Sequence, residues 1–344
     1  MVGRLLSMAA SFVVLAGLAA CSSPGRTAGG PPALPSSTSS PGLGLYAGTR
    51  PAAAPHGSVT VGTIRTTDGL VRSYRLFVPD SRLDRAPLLV ALHGGLGSAE
   101  QFEANSGFDG LAASHGFVVV YPEGTGFLPD GRGGARTWNA GDCCGPAAAR
   151  DVDDVGFVLA VVRAVSAAQP VDPDRVYLTG HSNGGMLAVR IACEAPGPFA
   201  AVAVQSATLT VDECSPARPI SLLQIHGTAD GNVPFEGGLG NGPAQVSYAP
   251  PRTAAATISA ADGCARRTTT TVDPVNPDLV LERWRRCSAG SDVRFLAVTG
   301  AGHAWMGHAP SSAAAQLLVG PAYERLDASR AVWSFVSAHS RAQR

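Results

Sequence analysis

The stretch whose residue types and spacing carry chemistry most directly is Gly180-His-Ser182-Asn-Gly184. The run from Val176 reads as a buried strand and Met186-Leu-Ala-Val189 as the start of a helix, so the pentapeptide sits at a strand–turn–helix junction. A serine in that setting is a nucleophile elbow: small neighbours permit a tight turn that lifts the hydroxyl above the sheet. The chain holds 41 glycines, so the bare pattern arises readily by chance. The flanking strand and helix are what give it meaning.

A serine hydroxyl attacks only when a base removes its proton. Eight histidines are available. His93 and His226 precede glycines at strand ends and read as buried imidazoles bonded to loop backbone. His181 is expected to point away from its neighbour Ser182, His115 and His339 fit helix ends, and His56 lies before the folded part. His303, in Gly300-Ala-Gly-His-Ala-Trp305 directly after the last apolar strand, is the base the pattern favours, with His308 as second candidate. A carboxylate must hold the imidazole in the working tautomer, and the order that accompanies such an elbow is Ser, acid, His. Asp230 satisfies it, because the strand Ile220–Ile225 runs into His226-Gly-Thr-Ala-Asp230. Asp212 and Glu213 precede that strand and start from its wrong end. For a tetrahedral oxyanion, the N–H of Asn183 supplies one donor and the loop after His93 the other, at Gly95 or alternatively Leu96.

These groups need a scaffold. Val59–Ile64 and Arg72–Val78 alternate as an antiparallel pair turned at Asp68-Gly69. Pro87–His93, Phe117–Tyr121, Val176–Thr179, Ala200–Val204, Ile220–Ile225 and Val293–Val298 are short apolar runs, as expected of strands covered on both faces. Helices are expected over Ser98–His115, Asp151–Ala168, after Ser182, and over Tyr323–Ala338. Pro122–Arg150 is a long Gly-rich loop, and Gly237–Arg286 is polar and expected to be irregular. The alternation implies a single α/β domain from residue 59 to 344, a mainly parallel, doubly wound sheet with helices on both faces.

With 344 residues, 45% of them hydrophobic, the chain can bury a large core. A formal charge of zero with 15% charged residues supplies no basic face for nucleic acid and suits uncharged substrates. Arg4 followed by the apolar run Leu5–Leu18 reads as a signal segment over residues 1–20. Leu18-Ala-Ala-Cys21 resembles a bacterial lipobox, which implies a diacylglyceryl group on Cys21 and a membrane anchor; a secretory signal with Cys21 incidental is the alternative. Residues 21–58 carry too little apolar surface to fold and read as a tether. Export places the domain in an oxidising, extracytoplasmic compartment. The six other cysteines fit three disulfides: Cys264 with Cys287 is the favoured pair, and Cys143, Cys144, Cys193 and Cys214 stay unassigned. None has metal-ligand spacing. No feature demands more than a monomer.

The chain resembles a known family through Tyr74-Arg-Leu-Phe-Val-Pro79, His93-Gly-Gly, Trp138-Asn-Ala-Gly-Asp-Cys-Cys-Gly145 and Asp151-Val-Asp-Asp-Val-Gly-Phe157. Gly180-His-Ser-Asn-Gly-Gly-Met186, His226-Gly-Thr-Ala-Asp230 and Gly302-His-Ala-Trp305 complete the match. Together they are similar to the polyhydroxybutyrate depolymerase/feruloyl esterase group of α/β-hydrolases, and with the lipobox to its actinobacterial esterase lipoproteins. The resemblance implies the α/β-hydrolase fold and hydrolysis of a small or polymeric ester by Ser182, Asp230 and His303, without a cofactor. It also implies substrate-binding roles for Trp138, Asn139 and Trp305. The Trp138–Cys144 segment would line or brace the acyl site; a disulfide-pinned loop without substrate contact is the alternative. No segment is available for a separate polymer-binding domain, which favours smaller or envelope-derived esters. An acyltransferase, a serine peptidase and a non-catalytic binding lipoprotein remain competing readings of the same residues.

Overall fold

A computed structural model describes residues 55–128 and 130–343. The expected signal segment, Cys21 and nearly all of the tether lie outside the described residues. A ten-stranded sheet forms the centre. In chain order its strands are β1 (Gly57–Arg65), β2 (Val71–Pro79), β3 (Ala86–Leu92), β4 (Val118–Pro122) and β5 (Val171–His181), then β6 (Ala201–Gln205), β7 (Ser221–Gly227), β8 (Thr269–Val272), β9 (Leu279–Trp284) and β10 (Val293–Val298). Their spatial order is β1-β2-β4-β3-β5-β6-β7-β10-β9-β8. The six strands from β4 to β10 in this order pair in parallel, and the two at each edge pair antiparallel. The first strand starts at Gly57, two residues before the expected boundary.

The parallel strands read as unbroken apolar runs because each feeds two cores. In β3, Leu88, Val90 and Leu92 face one core and Leu89 and Ala91 the other, all fully buried. The first core is closed by α4 (Asp154–Ala168), α5 (Ser182–Glu194) and α6 (Arg252–Ala261). The second is closed by α1 (Ala99–Ser106), α2 (Phe108–His115) and α8 (Ala328–Val336). Two short helices, α3 (Gly145–Ala149) and α7 (Ala313–Val319), lie in loops.

Three expectations are corrected. The helix over 98–115 is two helices, because Gly107 takes φ +70°, and a Cβ there would meet the His308 ring at 2.7 Å. The closing helix starts at Ala328, where Asp327 caps it by accepting the Arg330 N–H, and not at Tyr323. The polar Gly237–Arg286 region is not irregular: it holds α6, the edge strand β8 and its inner neighbour β9. Edge strands are half-solvated, and β8, Thr269-Thr-Thr-Val272, is exposed throughout, so it lacks the apolar signature of a central strand.

One buried polar cluster carries a stability consequence. The Tyr121 hydroxyl donates to Asp109 Oδ1 at 2.7 Å. Burial pushes the Asp109 carboxyl up, and Glu103 nearby reinforces this, to about 7 from the ordinary 3.8. A raised native pKa means the stabilising protonated state holds below about pH 4 and is lost as pH rises through 7. Asp109→Asn keeps the acceptor and never ionises. Its melting temperature relative to wild type is therefore expected to climb between pH 4 and 8 in thermal scans; an offset independent of pH contradicts the assignment.

Candidate active site

Strand β5 enters the core at Val176 and ends at His181, and α5 begins at the next residue. Ser182 takes φ +52°, a left-handed conformation that a serine adopts at a cost of about 1–3 kcal/mol. The cost is offset by packing. A Cβ on Gly184 would lie 2.3 Å from the His93 carbonyl oxygen and 2.6 Å from that of Leu92, so only glycine lets the first turn of α5 press against the end of β3. That contact sets Ser182 beside the His93-Gly-Gly loop.

His303 and Asp230 arrive from neighbouring parallel strands. The registry Val298↔Gly227 makes β10 and β7 end level, so their loops leave the same edge of the sheet side by side. His303 Nε2 lies 2.9 Å from Ser182 Oγ, and its Nδ1 lies 2.9 and 2.8 Å from the two Asp230 oxygens. Asp230 is buried, and Oδ1 also accepts the N–H groups of Asn232 and Val233 at 3.0 Å each. Burial alone would push this carboxyl up. The His303 imidazole, His226 and the Val233 N–H outweigh it and hold the group down at about 2, so it is ionised at any neutral pH. His308 bonds Asp327 at 3.3 Å, beside the closing helix, and does not join this chain of contacts. Asp212 and Glu213 are exposed.

A cavity of about 620 Å³ opens over Ser182. Gly94, Gly95, Asn183 and His303 line it, and among the described residues no Asp, Glu, Lys or Arg does. The Leu96 N–H is engaged by the Arg136 carbonyl at 2.7 Å, and Gly95 packs against Asn183, whose Cβ lies 3.4 Å from where a Cβ on Gly95 would stand. A more open cleft of about 1040 Å³ meets the cavity at His303, Asn232 and Leu318.

Comparison with known proteins agrees with this architecture. The profile of a family described as Esterase PHB depolymerase matches residues 72–230. NocK of Nocardia uniformis subsp. tsuyamanensis, named as an esterase, is 35% identical over 263 residues, spanning 70% of this chain and 72% of that protein. The chain belongs to the PHB depolymerase esterase family. Feruloyl esterase B of Piromyces equi is 31% identical over 226 residues, 64% of this chain but 40% of that longer protein. The acetyl xylan esterase of Aspergillus awamori shares the fold at a TM-score of 0.51 and 16% identity, over 71% of this chain and 94% of the other. The protein is thus a carboxylic ester hydrolase with the α/β-hydrolase fold.

Within this esterase, of the residues expected to touch substrate, Trp305 lines the cavity, and Trp138 and Asn139 are buried outside its wall. Trp138 is fully buried and absent from the cavity wall. Its Nε1 donates to the His93 carbonyl at 2.9 Å, its N–H donates to Asn183 Oδ1 at 2.8 Å, and its carbonyl accepts Asn183 Nδ2 at 3.0 Å. Both oxyanion-side loops are thereby tied to one residue. Asn139 is buried behind it; its N–H meets Asp154 Oδ2 at 2.6 Å and its side chain Asp151 and Val152. Trp305 reaches the wall but is 2% exposed, with Nε1 on Ser329 Oγ and its ring against Phe102 and Phe108. The walls also include Leu96, Phe127, Thr137, Tyr248 and Leu318, from segments whose periodicity gives no sign of a shared surface.

The disulfides are Cys264–Cys287, as favoured, with Cys193–Cys214 and the adjacent pair Cys143–Cys144. Three bridges fit an extracytoplasmic setting. Cys144 lines the cavity, and Cys193–Cys214 ties the end of α5 to the loop after β6. Among the described residues no helix is long and apolar enough to cross a membrane.

His181 was expected to point away from the site. It lies against it: Nε2 is 2.8 Å from the His303 carbonyl, and the ring stands 5.1 Å from the His303 ring.

The brace reaches further back. Arg72 Nη1 lies 2.5 Å from Asp154 Oδ1, an ion pair not aligned as a hydrogen bond, with the guanidinium 3.8 Å over the Phe157 ring and 5.6 Å from that of Trp138. Burial pushes the Asp154 carboxyl up and Arg72 opposes it. Removing one partner strands a buried charge, so Arg72→Met is expected to lower unfolding free energy by about 3–5 kcal/mol. The double variant Arg72→Met/Asp154→Leu should recover most of that in denaturant titrations; equal losses in both would contradict a charge-pair origin.

Proposed function

We propose that this esterase cleaves its substrates through an acyl-enzyme on Ser182, with His303 as the base, Asp230 as the orienting acid, and the N–H groups of Gly95 and Asn183 as the oxyanion donors. The observation that carries the reading is the unbroken chain Ser182 Oγ–His303–Asp230, with both bonds at 2.8–2.9 Å. In the first half-reaction Ser182 Oγ attacks the ester carbonyl while its proton passes to His303 Nε2. The oxyanion rests on Gly95 and Asn183, and the imidazolium on ionised Asp230. Collapse breaks the ester C–O bond as Nε2 returns the proton to the leaving alcohol. Water then repeats the steps on the acyl-enzyme and releases the acid and free Ser182.

Uncharged walls and about 620 Å³ of space favour a neutral acyl group up to the size of an aromatic ring with its linker. Feruloyl esters, the substrates named for the Piromyces relative, are of that kind. The open cleft on the far side of His303 suits the departing alcohol, since that imidazole must protonate it. Residues 1–20 serve as a lipoprotein signal, Cys21 carries the lipid, residues 21–56 tether the catalytic domain to the membrane surface, and the domain works as a monomer. The lipobox supports this part of the reading, and the disulfides support export.

The test is fluorophosphonate labelling of the full chain with peptide mapping. Stoichiometric modification confined to Ser182 and absent in Ser182→Ala is expected, and Asp230→Asn should lower kcat on soluble esters by about 10⁴-fold. Modification at another residue, or none in folded protein, refutes the mechanism. For the anchor, Cys21→Ala is expected to release the protein from membranes and abolish incorporation of a radiolabelled fatty acid. Undiminished incorporation in that variant refutes lipidation at Cys21.

A further inference from the structure

The loop that carries His303 has neither helix nor strand from residue 299 to 310, yet its imidazole sits within hydrogen-bond reach of both Ser182 and Asp230. Its backbone is held by side chains. The His303 carbonyl accepts His181 Nε2 at 2.8 Å and is 3.4 Å from Ser206 Oγ. The Ala304 carbonyl accepts Gln205 Nε2 at 2.9 Å, and Gln205 Oε1 accepts the Met306 N–H at 3.0 Å. His181 and Gln205 are the last residues of the adjacent strands β5 and β6, register partners, and both are buried.

We propose that His181 and Gln205 are positioning residues for the catalytic imidazole, fixing the backbone of residues 303–306 so that His303 stays aligned between Ser182 and Asp230. The inference rests on the roles proposed above for those three residues.

Residue chemistry supports it. A carboxamide offers a donor and an acceptor side by side at any pH, which is what a carbonyl and an N–H two residues apart require. A glutamate would set its charge against the Ala304 carbonyl. At His181 the partner is a carbonyl, which can only accept, so Nε2 carries the proton. Burial, with His303 and His226 adding to it, pushes the His181 pKa down to about 3, while the His303 carbonyl and Asp230 pull the other way. The ring therefore stays neutral. A cation there would stand 5.1 Å, ring to ring, from an imidazole that must itself become charged during turnover. Ser206, beside Gln205, is held at φ +55°, so the end of β6 is bent into the clamp at some strain.

The test uses the full chain and a small soluble ester, p-nitrophenyl acetate. His181→Phe keeps a ring and removes the donor; His181→Gln restores an N–H donor near the Nε2 position. Gln205→Glu, when ionised, keeps an acceptor for the Met306 N–H and loses the donor to the Ala304 carbonyl, and Gln205→Met removes both bonds at similar length. His181→Phe and Gln205→Glu are expected to lose about 10–100-fold in kcat with KM within about threefold, as a base displaced by up to an ångström would. His181→Gln should recover to within about fivefold of wild type. If Gln205→Glu fails to fold, Gln205→Met and the His181 pair decide. Folded variants with wild-type kcat overturn the proposal, as does a His181→Gln no better than His181→Phe. Fluorophosphonate labelling separates the two layers: slowed but Ser182-confined labelling in the variants fits positioning, whereas a wild type labelled elsewhere refutes the underlying mechanism.

Discussion

The contact on which the site depends is the approach of α5 to the end of β3, where Gly184 meets the His93 carbonyl with no room for a Cβ. Because the helix can come that close, the chain must turn sharply out of β5, and Ser182 is carried to φ +52°. The same approach brings Asn183 against Gly95 in the cavity wall. The proposed nucleophile and oxyanion donors are therefore products of one backbone juxtaposition. Trp138 then locks it, bonding the His93 carbonyl on one side and Asn183 on the other.

Electrostatics follow from where each ionisable group is buried. Asp230 keeps its charge because two N–H groups and two imidazoles surround it. His181 loses its charge because burial and His303 act in the same direction. Packed together, they leave His303 as the group between serine and carboxylate, with a neutral ring beside it. The low-dielectric surroundings that make an unpaired charge costly also strengthen each of these bonds. Behind the site, Arg72, Asp154 and Asn139 extend the bracing to β2 and α4.

Much of this was legible in residue order. Short apolar runs identify the six parallel strands because such strands are buried on both faces, and the pentapeptide around Ser182 is readable because strand, turn and helix appear beside it. Asp230 and His303 follow from loops that must leave the same sheet edge. What was not legible depends on contacts far apart in sequence. Trp138 looks like a substrate-facing aromatic, yet its bonds are to residues 45 positions away. The cavity walls, such as Phe127, Tyr248 and Leu318, come from three unrelated segments. The strands β8 and β9 are hard to read because the edge strand β8 faces water and is mostly Thr, and β9 beside it carries Glu and Arg between its buried residues.

The most direct test of the account is a crystal structure of the protein after reaction with a fluorophosphonate. A phosphonyl group bonded to Ser182 Oγ, with its oxygen about 3 Å from both the Gly95 and Asn183 nitrogens and His303 still on Asp230, is the predicted result. An adduct on Ser182 whose phosphonyl oxygen points to solvent, or contacts Leu96 in place of Gly95, would contradict the claim that the α5–β3 contact creates the oxyanion site.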